Sequence, residues 1–154
     1  MPLGSDLFTT ARLLATSTPR RPRQADLRRA ISTAYYGLFH TLARECADQI
    51  VGRSRGYSKK AWQQTYRSLD HGFAKNACKQ AETLGFPQSI VKFANAFVTL
   101  QAERHSADYD PYVRFRRNET LDYIRTAELA ADELNATARS DLRAFVVLVL
   151  LRQR

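Results

Sequence analysis

The chain has 154 residues, 44% hydrophobic and 25% charged, enough for one domain with a hydrophobic core and too few for two of ordinary size. Its formal net charge is +9, and residues 1–79 carry 14 Lys/Arg against 5 Asp/Glu while residues 80–154 carry 10 against 10. The excess therefore sits in the N-terminal half, which predicts a positive face that attracts polyanions, nucleic acid first among them, although such charge also serves solubility alone.

Ser5 followed by Asp6 predicts a helix N-cap with an acid in the first turn, and Thr18-Pro19 closes that helix before the connector Arg20-Arg21-Pro22-Arg23, read as a linker. The stretch to Arg23 is rich in Arg, Ser and Thr and has a transit-peptide flavour, but Leu7, Ala11 and Leu14 favour the helix. From Asp26 to about Ile50, Leu27, Ile31, Ala34/Tyr35, Leu38 and Leu42 recur at three- and four-residue steps, predicting a long amphipathic helix. Gly52 to Gly56 breaks the pattern. Ser58 then caps a third helix, with Ala61/Trp62, Tyr66 and Leu69 on one face, and residues 73–84 read as helical again.

After Gly85-Phe86-Pro87, the positions Ile90, Phe93/Ala94, Phe97 and Leu100/Gln101 predict a long helix to about Ala107, ended by Asp110-Pro111. Asn118 is the expected cap of the next helix, carried by Leu121, Ile124, Ala127/Glu128, Ala131 and Leu134, and Ser140 of a last one, over 140–153. That last segment is rich in valine, but no partner strand is in sight. The apolar run Phe145 to Leu151 is far short of the roughly 20 residues that cross a bilayer, so no membrane span or membrane partner is expected. The sum is an all-α fold, a five- to six-helix up-and-down bundle in one domain over 1–154, with its core over about 5–138.

Three groups of residues carry possible chemistry. On the helix after Pro87, the stripe of Ile90, Phe93 and Phe97 continues as Gln101, Arg104, His105 and Asp108, so polar groups arrive where core groups belong. Arg104 and Asp108 stand four apart and form either an ion pair closing the core or part of a site. On the long early helix Arg28, Ser32, Tyr35, Tyr36 and His40 interleave with apolar residues, and at least one tyrosine packs inward with its hydroxyl seeking a partner. Its other reading is an approach of a Tyr or His40 to Arg104. The third group, Arg53 to Arg67, mixes cations with Trp62 and Tyr66, which suits single-stranded nucleic acid, but those two rings share the apolar face and read as core within a solvated basic rim.

Cys46 and Cys78 have no companion at metal-ligand spacing, and His40, His71 and His105 are scattered, so no metal or cofactor is expected and the chain reads as a reduced, cytoplasmic protein. No glycine-rich phosphate loop and no nucleophile elbow occurs.

LRRAISTAYYGLFHTL, Leu27 to Leu42, resembles the early helix of the HEPN superfamily, in which a paired-Tyr stretch follows an Arg or Ser, and QAERHSADYDP, Gln101 to Pro111, resembles its later helix, where an Arg precedes Ala-Asp-Tyr. The resemblance covers roughly residues 5–138. It implies a helical bundle paired as a homodimer, the two helices lining a cleft. Many members are metal-independent ribonucleases of toxin–antitoxin and defence systems, with a partner antitoxin or nucleotidyltransferase; others only bind RNA or nucleotides. By this resemblance Arg104 contacts phosphate, Asp108 and Tyr109 position it, and Arg28, Tyr35, Tyr36 and His40 line the cleft. Nuclease members carry an Arg, four to six residues, then a His, the Arg stabilising phosphate charge and the His moving the 2′-hydroxyl proton. Here the permitted positions after Arg104 hold Tyr109, Asp110 and Pro111, and no Arg stands at that distance before any His. Catalysis would then rest on Arg104 with Tyr109, or with His105 or His40 placed by the fold; the remaining alternative is a non-catalytic dimerisation or interaction protein, in which the polar cluster around Arg104 fixes helix register or pairs subunits.

Overall fold

The computed structural model describes residues 2–154. Among them are seven helices: α1 (Leu3–Ala15), α2 (Gln24–Ile50), α3 (Lys59–Arg67), α4 (His71–Cys78), α5 (Gln88–Tyr109), α6 (Arg117–Asn135) and α7 (Arg139–Leu150). The all-helical class and the bundle are as expected, with one helix more than the upper expectation.

The long helix α2 is the axis, packed by α1, α3, α5, α6 and α7. Its inward face buries Leu27, Ile31, Tyr35, Leu38 and Leu42 completely, against Phe93 and Phe97 of α5 and Ile124 of α6. Full burial of such side chains contributes about 1.5–3 kcal/mol each, which is what holds a helix of this length in place. One core cluster runs from Phe8 to Val149. The last helix is therefore no appendage to a 5–138 core: Leu142, Phe145, Val146 and Val149 are buried in it, and α7 packs on α2 and α4.

α1 packs closely on α2 at Gly37, which has no side chain. A Cβ there would sit 2.6 Å from Phe8 Cε1, so the Phe8 ring rests on the bare backbone of α2. The end of α2 also needs glycine: Gly52 adopts a φ of 77°, and the N–H groups of Val51 and Gly52 both return to the Ala47 carbonyl, at 2.9 and 3.1 Å.

Three expected caps shift. Ser58 caps α3 as read, its hydroxyl accepting the Ala61 N–H at 3.1 Å. Ser5, Asn118 and Ser140, however, lie inside the first turns of α1, α6 and α7, whose N-cap residues are Pro2, Arg116 and Ala138, none with a side-chain bond to the helix. The helices begin earlier because the chain turns into them as soon as packing allows, and a polar residue nearby does not set the boundary. Likewise α1 ends at Ala15, and the 73–84 segment is helical only over His71–Cys78, capped by Asp70, before turns lead to Gly85. No described helix is long and apolar enough to cross a membrane.

Candidate functional site

The polar continuation of α5 meets the middle of α2. Arg104 projects from α5 across both tyrosines, its guanidinium carbon 5.6 Å from the Tyr35 ring centroid and 5.5 Å from that of Tyr36. Nη2 donates to Tyr36 Oη at 3.3 Å. Nε lies 3.1 Å from Asp108 Oδ2, one turn on, but off the N–H direction, so the two form an ion pair and the Nε hydrogen is left buried without an acceptor. Asp108 is steadied from α2 by the Ser32 hydroxyl at 3.4 Å. The expected approach of a tyrosine to Arg104 is thus present. The ion-pair reading holds as well.

Of the two tyrosines, Tyr35 is the one turned wholly inward, while Tyr36 is half-buried at the surface. Burial raises the Tyr35 phenol well above its ordinary value, although the Arg104 charge pulls the other way. The phenol stays protonated, and its oxygen lies 2.6 Å from Nδ1 of His71. Among the described residues no other acceptor is available to it, so the phenol donates and Nδ1 accepts. His71 is then neutral with its proton on Nε2.

The sequence presents His71 only as one of three scattered histidines. In the fold it is the first residue of α4, placed by the Asp70 cap, which accepts the Phe73 N–H at 2.8 Å. Its ring stacks on Phe39 at 4.0 Å and meets the Tyr36 ring edge-on at 5.9 Å. Burial is the first reason its pKa lies below the ordinary histidine value, the Arg104 charge the second, partly offset by Asp70. Gln101, the first polar residue of the α5 stripe, donates to the His71 carbonyl at 3.2 Å. The signal present in the sequence is the Asp70 cap; a helix read from 73 onward hides it.

His40, one turn beyond Tyr36, is also held below the ordinary value, by burial and then by His71. Its Nδ1 is 2.6 Å from Tyr66 Oη, and the Tyr66 ring stacks on Trp62 at 5.2 Å. The expectation that Trp62 and Tyr66 belong to the core holds in part: α3 has no fully buried residue and both rings are half-buried, but Tyr66 packs against the core cluster whereas Trp62 does not. Trp62 donates to Asp48 Oδ1 at 2.8 Å and carries Arg53 over its face at 4.5 Å. These residues with His40 and Arg44 line a concavity of about 890 Å³. The hollow part of this face therefore lies at the His40 end, not over Arg104.

The other expected site residues fall elsewhere. The Arg28 guanidinium is occupied by the carbonyls of Ala107, at 2.8 Å, and Val113, and closes the C-terminal end of α5. His105 and Tyr109 stand on the exposed flank of α5 with their rings 5.0 Å apart, and neither hydrogen-bonds to the Arg104 group. Among the described residues no His, Cys, Asp and Glu group is arranged to hold a metal ion. Burial pushes the thiols of Cys46 and Cys78 up, that of Cys78 to about 12, which leaves them unreactive at neutral pH.

The arrangement can bind an acceptor-rich group. It offers a partly exposed guanidinium, a neutral imidazole with its proton on Nε2, and half-buried aromatic edges between them. No protein-family model, curated protein or solved structure matches the chain.

Proposed function

We propose that the chain is a HEPN-like domain that binds RNA, or a nucleotide, through the face running from Arg104 past Tyr36 and His71 to His40. The observation that carries this is Arg104 itself, a partly exposed guanidinium laid over two tyrosine rings. A guanidinium held in that way is pre-organised for phosphate, and the aromatic edges beside it suit a base. The net charge of +9 supports a polyanion as the ligand. As in the superfamily it resembles, we take the working form to be a homodimer, which light scattering of the purified chain tests directly.

Binding is favoured over cleavage by the hydrogen bond between Tyr35 and His71. A general base needs a free lone pair facing the substrate, and here the lone pair of His71 is turned inward to the phenol. The test is incubation with mixed-sequence RNA and matched DNA, with and without EDTA, with Arg104→Ala alongside. The expected result is retardation of RNA without cleavage, weakened in the variant. Unchanged affinity and salt dependence in Arg104→Ala would sink the assignment.

One observation favours a second reading, a metal-independent endoribonuclease. The fold sets His71 and Arg104 over the same Tyr36 ring and so supplies an Arg and a His together that the linear motif lacks. EDTA-resistant cleavage abolished by both Arg104→Ala and His71→Ala would establish it.

A further inference from the structure

The connector Arg20-Arg21-Pro22-Arg23, a mere linker in the sequence, is brought by the fold against the start of α6. Arg20 and Arg21 line an open depression of about 540 Å³ together with Arg116, Arg117, Phe115 and Leu121. Four arginines around one hollow repel one another, and no Asp or Glu lines it. Among the described residues Arg20, Arg21 and Arg116 take part in no ion pair. Arg23, the last residue of the connector, is by contrast paired with Asp26.

The walls are fixed by bonds that leave this charge free. Gln24 clasps Phe115 both ways, donating to its carbonyl at 2.8 Å and accepting its N–H at 2.9 Å. Arg117 donates to the carbonyls of Ala15 at 3.1 Å, Pro19 at 3.3 Å and Thr18, which pins the connector down. The N-terminus of α6 opens into the same hollow. Its N-cap is Arg116, whose side chain cannot accept, and Asn118, expected to be the cap, sits in the first turn and lines the pocket instead. Unmatched first-turn N–H groups and the positive end of the helix dipole add to the arginine field. Glu119 of the same turn lines a different groove, on the other side of α6.

We propose that this pocket is a phosphate-binding site separate from the Arg104 face, taking the phosphate of a polynucleotide backbone or of a small phosphorylated molecule through Arg20, Arg21, Arg116 and the α6 N-terminus. The proposal rests on the side chains of two distant segments converging without a counter-charge, and it stands whether or not Arg104 binds RNA.

The experiment is a titration of the full chain with inorganic pyrophosphate, followed by amide NMR, in wild type, Arg20→Gln/Arg21→Gln and Arg104→Ala. Both replaced arginines are exposed and free of ion pairs, so the double variant keeps the fold. The expected result is a saturable shift of the Arg117 to Thr120 amides in wild type and in Arg104→Ala, weakened about tenfold or more in the double variant, as loss of charge-assisted bonds implies. A second arm uses a single-stranded RNA oligonucleotide. If RNA moves the same amides, the backbone is the source, and the log–log salt slope falls by about 0.7 for each phosphate that the double variant no longer neutralises. If pyrophosphate saturates the pocket and RNA leaves it untouched, the site serves small phosphorylated molecules. Absent or non-saturable pyrophosphate shifts, or saturation unchanged in the double variant, would overturn the proposal.

Discussion

The phenol of Tyr35 and the imidazole of His71, 2.6 Å apart and 36 positions apart in the chain, settle each other's protons. Tyr35 is fully buried, so its hydroxyl has to find its partner inside the protein. By donating to Nδ1 it keeps His71 neutral, with its proton on Nε2. Replacing Tyr35 with Phe removes the donor and frees the tautomer. The expected outcome is a rise in the His71 pKa and a stability loss of about 0.5–1.5 kcal/mol, read by NMR titration of the ring and by denaturant unfolding. An unmoved His71 titration refutes the assigned proton positions.

Acid should loosen the fold near neutrality. His40 and His71 both lie below the ordinary histidine value of 6.5, burial being the leading cause for each. The unfolded chain, titrating at that ordinary value, takes up protons first as pH falls. The contribution of these neutral rings is therefore complete above about pH 6.5 and is lost as pH drops through their lower folded values. Tm measured from pH 8 to 5 should decline in this window, and His71→Gln should flatten the decline. A variant as pH-sensitive as the wild type would contradict the assignment to His71.

Arg104→Ala tests structure as well as binding. Two ring contacts at about 0.5–1 kcal/mol each predict a loss of about 1–2 kcal/mol, with little from the partly exposed Asp108 pair. Because Lys lacks the planar fork, Arg104→Lys should recover the charge but not the Tyr36 bond, and so restore stability and RNA affinity only in part. Denaturant unfolding and RNA retardation of the same preparations separate the two effects.

The close seat of α1 on α2 predicts an intolerant position. Gly37→Ala should cost about 1–3 kcal/mol, since a methyl at 2.6 Å from the Phe8 ring forces the helices apart. Introducing Phe8→Leu into that variant should recover part of the loss. Simple additivity of the two changes would show that the contact is not the cause.

The caps separate cleanly by mutation. Ser58→Ala should cost about 1 kcal/mol, because its hydroxyl accepts a helix N–H. Asn118→Ala and Ser140→Ala cap nothing and should stay within about 0.5 kcal/mol of wild type. Thermal unfolding of the three variants decides it.

Helix identities are legible in the sequence because the 3.6-residue recurrence of Leu27, Ile31, Leu38 and Leu42, or of Ile90, Phe93 and Phe97, is a local property of the chain. Boundaries are less so. Ser5, Asn118 and Ser140 are attractive caps, yet the helices start before them, since packing offsets the unsatisfied N–H groups at an exposed end. The Arg104–Asp108 pair is likewise readable, being one helical turn apart. Trp62 misleads, because an apolar stripe on a short helix says only that one face is covered, and of its two rings only Tyr66 packs against the core.

The all-helical class, the long amphipathic α2, the i,i+4 pair on α5 and the surplus of positive charge all follow from residues a few positions apart or from composition, so the linear chain carries them without help. The assembled fold was needed to make His71 meet Tyr35, to close α5 at Ala107 with Arg28, and to set Arg20 and Arg21 facing Arg116. These are encounters between segments up to about 100 positions apart. No periodicity encodes them, because they follow from which faces the whole core can bury together, and the packing that joins the faces also fixes where the polar groups at their margins come to rest.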